Sequence, residues 1–321
     1  MINATNQIDP RLQPLIDKAS SHSIQVPLNL IAIRSGTHTF DQYNTLPMAS
    51  LPLIKTFDFH YGQADCKITM YHPSPEEALP LIVFFPGTGF VLDCFEVQAT
   101  FASQLASIAR CVVLSVTYRL APEFPYPAAV NDCESVIHFR HSFFEDQGIK
   151  VNAHNYALLG VSSGGLLAAM VIQRLINRSN QSNTLQLPQG LHLHGPIINF
   201  DCTKNSFKQY GKGFLLDTKV AQLWYGAFMN QAPQPFIKTP ESFEDYQLKE
   251  KFPPTLITYA QCDPLSGDAL LYQSYLKQAG VSVGCKVFTH QPHAFMAYNQ
   301  LVPDKVDELL HLSADFYKTV L

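Results

Sequence analysis

Three short segments of this chain could assemble a nucleophile, a base and an acid. They are Gly160-Val161-Ser162-Ser163-Gly164, Asp263-Pro264-Leu265 and His293-Ala294-Phe295. A serine hydroxyl is a weak nucleophile near neutral pH. It needs a base to take its proton and an acid to hold that base. The first segment fits G-x-S-x-G, in which the serine sits on a sharp strand-to-helix turn. That turn strains the serine backbone, so the residues two before and two after it must be tiny. Ser162 has Gly160 and Gly164 at those places, whereas Ser163 meets Val161 where it would need glycine. The chain order Ser…Asp…His is one of several in which the same acyl-transfer geometry recurs.

Each of these residues has rivals. Asp263 follows a buried apolar run, with Pro264 fixing the turn. Asp268 lies further on, in a helical pattern, and Asp201 follows another apolar run, Pro196 to Phe200, which reads as a strand. His293 competes with His290, His192 and His194. The last two are two apart and share a face of a strand. They could suggest a metal, but no third ligand is evident, so they read as packed strand histidines. Gly87-Thr88-Gly89 follows the apolar run 81–85. It reads as a tight turn, and such a turn can also aim backbone N–H groups at a developing oxyanion.

The elements that must carry these residues alternate. Apolar runs at Leu81–Phe85, Cys111–Val116, Tyr156–Leu159, Leu256–Tyr259 and Val283–Phe288 read as strands buried on both faces. Two antiparallel strands precede them, at Lys55–Tyr61 and Lys67–Tyr71. Helical patterns fill the gaps at Phe95–Ala109, Ala128–Phe144, Leu166–Ile176, Asp268–Gln278 and Asp304–Val320. The alternation predicts an α/β fold, a mostly parallel sheet flanked by helices. Ligands bind at the carboxyl ends of strands in such sheets. Ser162, Asp263 and His293 each follow a predicted strand, so all three should reach one edge. Residues 200–250 break the alternation with Phe207, Tyr210, Phe214, Trp224, Tyr225 and Phe228 among polar residues, as a helical cap would. Residues 1–50 are irregular apart from one helix expected at Leu12–Ala19, after Asp9-Pro10.

Bulk properties narrow the function. The chain has 321 residues, 46% of them hydrophobic and 15% charged, enough apolar material for a large core. A net charge of −4 without basic runs argues against nucleic acid. Seven cysteines without C-x-x-C spacing are expected to be buried thiols in a reducing compartment, with no metal site. The first residues carry neither a basic start nor an apolar core, so no Sec-type signal peptide is expected. No stretch is apolar enough to span a bilayer. Together these point to a cytoplasmic protein.

With these residues in view, the chain resembles the hormone-sensitive-lipase-like branch of the α/β-hydrolases. Tyr118-Arg119-Leu120-Ala121-Pro122-Glu123 and Phe124-Pro125-Tyr126-Pro127-Ala128-Ala129 look like that family's signature. Phe84 to Phe90 sits where the family carries its His-Gly-Gly-Gly loop, and Gly160 to Gly165 matches its elbow. Pro86 stands in place of the loop histidine, Thr88 in place of its second glycine, and Val161 and Thr117 in place of acidic residues. The resemblance covers residues 80–321 and implies an α/β-hydrolase fold with a helical cap. Its catalytic domain would be 51–321, with a cap insertion at about 200–250 and residues 1–50 adding an N-terminal part. It implies a serine carboxylesterase of short- to medium-chain esters, with Ser162, Asp263 and His293 as triad. Thr88, Gly89 and Ser163 would be the oxyanion donors, and Gly87 part of their loop. No cofactor is implied, and the partner is a small-molecule ester. The oligomeric state stays open, a homodimer among the options. The alternatives are a lipase or amide hydrolase with the same machinery, or a ligand receptor on this scaffold, like the plant gibberellin receptor.

Overall fold

The computed structural model describes residues 8–21, 43, 44, 46–179, 185–230 and 251–321. Eight strands form one sheet. They are β1 (Leu53–Phe59), β2 (Cys66–His72), β3 (Leu79–Phe85), β4 (Val112–Thr117), β5 (Val151–Val161), β6 (Leu191–His194), β7 (Thr255–Cys262) and β8 (Val283–Pro292). Their order is β1-β2-β4-β3-β5-β6-β7-β8. The β1–β2 and β2–β4 pairs are antiparallel, and the rest of the sheet is parallel.

The apolar runs of β3, β4, β5 and β7 exist because both faces of the sheet are covered there. In the expected buried run Val283–Phe288, by contrast, only Phe288 is buried, because β8 is an edge strand. Leu81, Val83 and Phe85 of β3 enter one core layer, and Ile82 and Phe84 enter the other. The first layer is closed by helices α3 (Ala128–Gln147), α4 (Ser163–Ser179) and α7 (Ser266–Gln278). The second is closed by α1 (Gln13–Ser21), α2 (Ala99–Ala109) and α8 (Pro303–Val320). Each fully buried aliphatic side chain contributes about 1.5–3 kcal/mol. Single helix ends follow local chemistry. Asp9 accepts the Arg11 N–H ahead of α1, and Gly148 ends α3 at φ 64°.

The expected helix at Leu12–Ala19 is thus Gln13–Ser21, preceded by a 3-10 turn at Pro10–Leu12. The rest of the N-terminal cap segment lies mostly outside the described residues. Between β6 and β7 come α5 (Asn205–Tyr210) and α6 (Thr218–Met229), while 231–250 of the expected cap lie outside the described residues. One expected strand is absent. Pro196 to Phe200 is a loop, and the strand is β6, ending at His194. Gly195 turns the chain out at φ +51°, and the N–H groups of Ile198, Asn199 and Phe200 then converge on Asp268 Oδ2. A backbone whose donors go to one carboxylate cannot also pair with a neighbouring strand.

Candidate active site

The sharp turn at Ser162 is built by its glycines. Ser162 has φ 54°, in the left-handed region. A Cβ on Gly164 would lie 1.9 Å from Phe85 O, and one on Gly160 would lie 2.5 Å from Gly164 O. No side chain fits at either place. β5 delivers Ser162, and α4 starts at Ser163, so the serine caps the strand end against a helix N-terminus. The Ser162 N–H donates to His194 O at 2.9 Å, which ties the turn to β6.

β7 ends one residue before Asp263, and β8 one residue before His293. The structure brings the three side chains together at the carboxyl edge of the sheet. Ser162 Oγ lies 2.9 Å from His293 Nε2, and His293 Nδ1 lies 2.7 Å from Asp263 Oδ2. Asp263 is buried, and its Oδ1 accepts the Leu265 N–H at 2.8 Å. A carboxylate can only accept, so it takes Nδ1–H and leaves Nε2 free to accept the serine proton.

The rivals are engaged elsewhere. Asp268 holds the 198–200 loop and pairs with Lys204. Asp201 is exposed and caps Thr203. His290 is exposed. His192 Nε2 and His194 Nδ1 both meet Thr258 Oγ1, at 2.9 and 2.8 Å, as packed strand histidines do. Burial pushes the His194 pKa well down, and the neighbouring His192 and His293 add to it. Among the described residues, no group of three His, Cys, Asp or Glu side chains could hold a metal ion. None of the seven cysteines forms a disulfide. Cys66, Cys111, Cys133 and Cys262 are buried as expected, whereas Cys94 and Cys202 are half-buried and Cys285 is exposed.

The Pro86–Phe90 loop passes directly over the elbow. A Cβ on Gly87 would lie 2.9 Å from Ser162 Cβ. Its backbone is held by side chains whose donor directions can be read in sequence. Tyr118 OH donates to Pro86 O at 2.6 Å, so its oxygen is left to accept from Thr88 Oγ1 at 2.8 Å and Ser163 Oγ at 3.3 Å. Thr88 Oγ1 in turn accepts the Phe90 N–H at 3.1 Å, and Ser163 Oγ accepts the Thr88 N–H at 2.9 Å. Tyr118 itself is fixed by its neighbour, since Arg119 donates from N, Nε and Nη2 to the buried Asp132. Of the expected donors, Thr88 N–H therefore has a protein acceptor. Gly89 N–H has no partner among the described residues. Ser163 N–H sits at the first residue of α4, where a helix offers no internal acceptor. A Cβ on Gly89 would lie 2.5 Å from Trp224 of α6, so the helical insert reaches this loop.

Sequence reasoning passed over two contributors. Gln98 bonds both peptide groups of Gly87. Tyr118 was visible only as part of a motif, with no sign of what its hydroxyl meets.

A family model described as alpha/beta hydrolase fold matches residues 82–297. Ethyl acetate hydrolase of Pseudomonas putida is 27% identical over 246 residues, covering 75% of this chain and 74% of that protein. Esterase LipI of Mycobacterium tuberculosis is 30% identical over 236 residues, covering 72% and 70%. A solved thermostable esterase from Pseudomonas putida ECU1011 superposes with a TM-score of 0.85 at 20% identity, over 98% of both chains.

Proposed function

The chain belongs to the α/β-hydrolase fold family, in its hormone-sensitive-lipase-like branch, and is a carboxylic ester hydrolase, and we propose that it acts on short- and medium-chain esters through an acyl-enzyme on Ser162. The observation that carries this reading is the hydrogen-bonded line Ser162 Oγ–His293 Nε2–His293 Nδ1–Asp263 Oδ2, at 2.9 and 2.7 Å.

Ser162 Oγ attacks the ester carbonyl while His293 Nε2 takes its proton. Asp263 holds the imidazole tautomer and stabilises the imidazolium. The carbonyl oxygen becomes an oxyanion, received by the N–H groups of Gly89 and Ser163. Thr88 N–H is the third donor. In the free enzyme it rests on a neutral hydroxyl. A charged acceptor forms bonds roughly twice as strong, so the donor moves to the oxyanion as charge develops. Collapse expels the alcohol, which takes the proton back from His293. Water, deprotonated by His293, then attacks the acyl-enzyme, and the acid leaves with Ser162 regenerated. No cofactor enters these steps. The closeness of Trp224 to Gly89 supports reading α5 and α6 as part of a cap over the site. An intact base beside the serine favours turnover over a purely receptor role.

Among the described residues, no helix is long and apolar enough to cross a membrane. Seven cysteines without a disulfide fit a reducing, cytoplasmic location. The test of the function is covalent. A fluorophosphonate is expected to label the protein once, at Ser162, and p-nitrophenyl acetate to be hydrolysed. Both activities should vanish in Ser162→Ala. Labelling of that variant at the wild-type level would sink the assignment.

A further inference from the structure

The geometry points to Gln98 as a positioning residue for the oxyanion loop, a clamp that serves where the loop histidine is replaced by Pro86. This inference rests on the ester-hydrolase reading above. Gln98 Oε1 accepts the Gly87 N–H at 3.0 Å, and Gln98 Nε2 donates to Gly87 O at 2.8 Å. One side chain thus holds both polar groups of one residue. Only a primary amide carries an acceptor and a donor side by side, and the pairing fixes which atom is which.

The loop needs an outside hold. Pro86 has no N–H and no polar side chain. Gly87 must be glycine because a Cβ would meet Ser162 Cβ at 2.9 Å and Val161 O at 3.0 Å. Glycine is also the residue with the widest backbone freedom. Tyr118 holds Pro86 O and Ser163 Oγ holds the Thr88 N–H, but neither bonds Gly87. Left unpinned, a rotation there would swing the following Gly89 N–H off the oxyanion. Gln98 can pin it because its own backbone is stiff. It ends the 3-10 turn Phe95–Gln98 that runs directly into α2, a helix packed on β4 and α8, and the residue is 6% exposed.

The expected signature follows from what the donors do. The oxyanion exists only in the transition state and the tetrahedral intermediate, so misaimed donors lower kcat and leave ground-state binding nearly unchanged. A purely structural role for Gln98 gives a different result. It would reduce the amount of active protein and leave each active site turning over normally.

The experiment compares full-length wild type with Gln98→Met, which keeps length and packing, and Gln98→Ala. Gln98→Glu, of the same size and still an acceptor but without the donor, serves if the others do not fold. Active sites are counted by fluorophosphonate labelling, and p-nitrophenyl acetate kinetics are expressed per labelled serine. Affinity for a trifluoromethyl ketone, whose serine adduct places an oxyanion in the hole, is measured alongside. The expected result is a kcat per site lowered about 10- to 100-fold with KM nearly constant, and ketone affinity lowered by the same factor. An unchanged kcat per site overturns the clamp, as does a lowered kcat with ketone affinity intact. Wild type that neither turns over nor labels overturns the esterase reading and the clamp together. Wild-type turnover beside unimpaired variants overturns the clamp alone.

Discussion

A carboxylate beside an imidazole fixes its tautomer and stabilises its positive charge. Asp263 can do both, since its Oδ2 faces His293 Nδ1 at 2.7 Å and its Oδ1 is held by Leu265 N–H. An amide there keeps the shape, loses the charge and can present the wrong tautomer. Asp263→Asn is therefore expected to lower kcat by about 10⁴ near neutral pH, by analogy with the protease template. Asp201→Asn changes an exposed carboxylate whose partners are Thr203 N and Oγ1, and should stay close to wild type. The measurement is kcat for both variants, with folding checked by circular dichroism. A crippled Asp201→Asn beside an active Asp263→Asn would move the acid to the earlier loop.

At the scale of elements, Asp268 does for the 195–201 loop what no strand pairing does. Three N–H groups and the Lys204 ammonium meet on this fully buried side chain. Removing one partner of such a pair costs about 3–5 kcal/mol. Asp268→Ala should lose stability of that order in urea unfolding, while kcat per fluorophosphonate-labelled serine changes far less than in Asp263→Asn. A variant as stable as wild type would remove the anchoring role. Asp268 also marks where the sequence stopped being legible. Strand ends near Val161 and Cys262 could be read because buried parallel strands write continuous apolar runs, and the elbow because its glycines have a steric cause. β8 is an edge strand, mostly exposed, so its expected burial on both faces does not hold. Pro196 to Phe200 is equally apolar, yet it is a loop. The deciding contact comes from a residue about seventy positions away, which no local pattern encodes. Gln98 was invisible for the same reason. A single amide in a 3-10 turn has no periodicity, and its meaning appears only once Gly87 is beside it. Thr88 was read as a backbone donor alone, but its hydroxyl also joins Phe90 N–H to Tyr118 OH.

For the whole molecule, the price of putting two histidines under the site is acid sensitivity. His192 and His194 are buried on β6 and share one hydroxyl, Thr258 Oγ1. His192 Nδ1 has no partner among the described residues, so a protonated ring would place a second N–H where none of them accepts it. Burial accordingly lowers the His192 pKa from 6.5 to about 3. In the unfolded chain the imidazole returns to its ordinary value. The stability it permits is complete above about pH 6.5 and is lost progressively as pH falls toward 3. At pH 5 the unfolded ring has bound its proton and the folded ring has not, a gap of about 1.5 pH units or about 2 kcal/mol. His194, whose pKa burial also lowers well below its ordinary value, acts in the same direction. Urea unfolding of wild type and His192→Gln at pH 7.5 and pH 5 separates this contribution from that of the other titrating groups. The variant is expected to be less stable at pH 7.5, having lost a packed ring, but to lose about 2 kcal/mol less on acidification. Equal losses in the two proteins would mean that His192 titrates alike in the folded and unfolded chain, and that the acid sensitivity lies elsewhere.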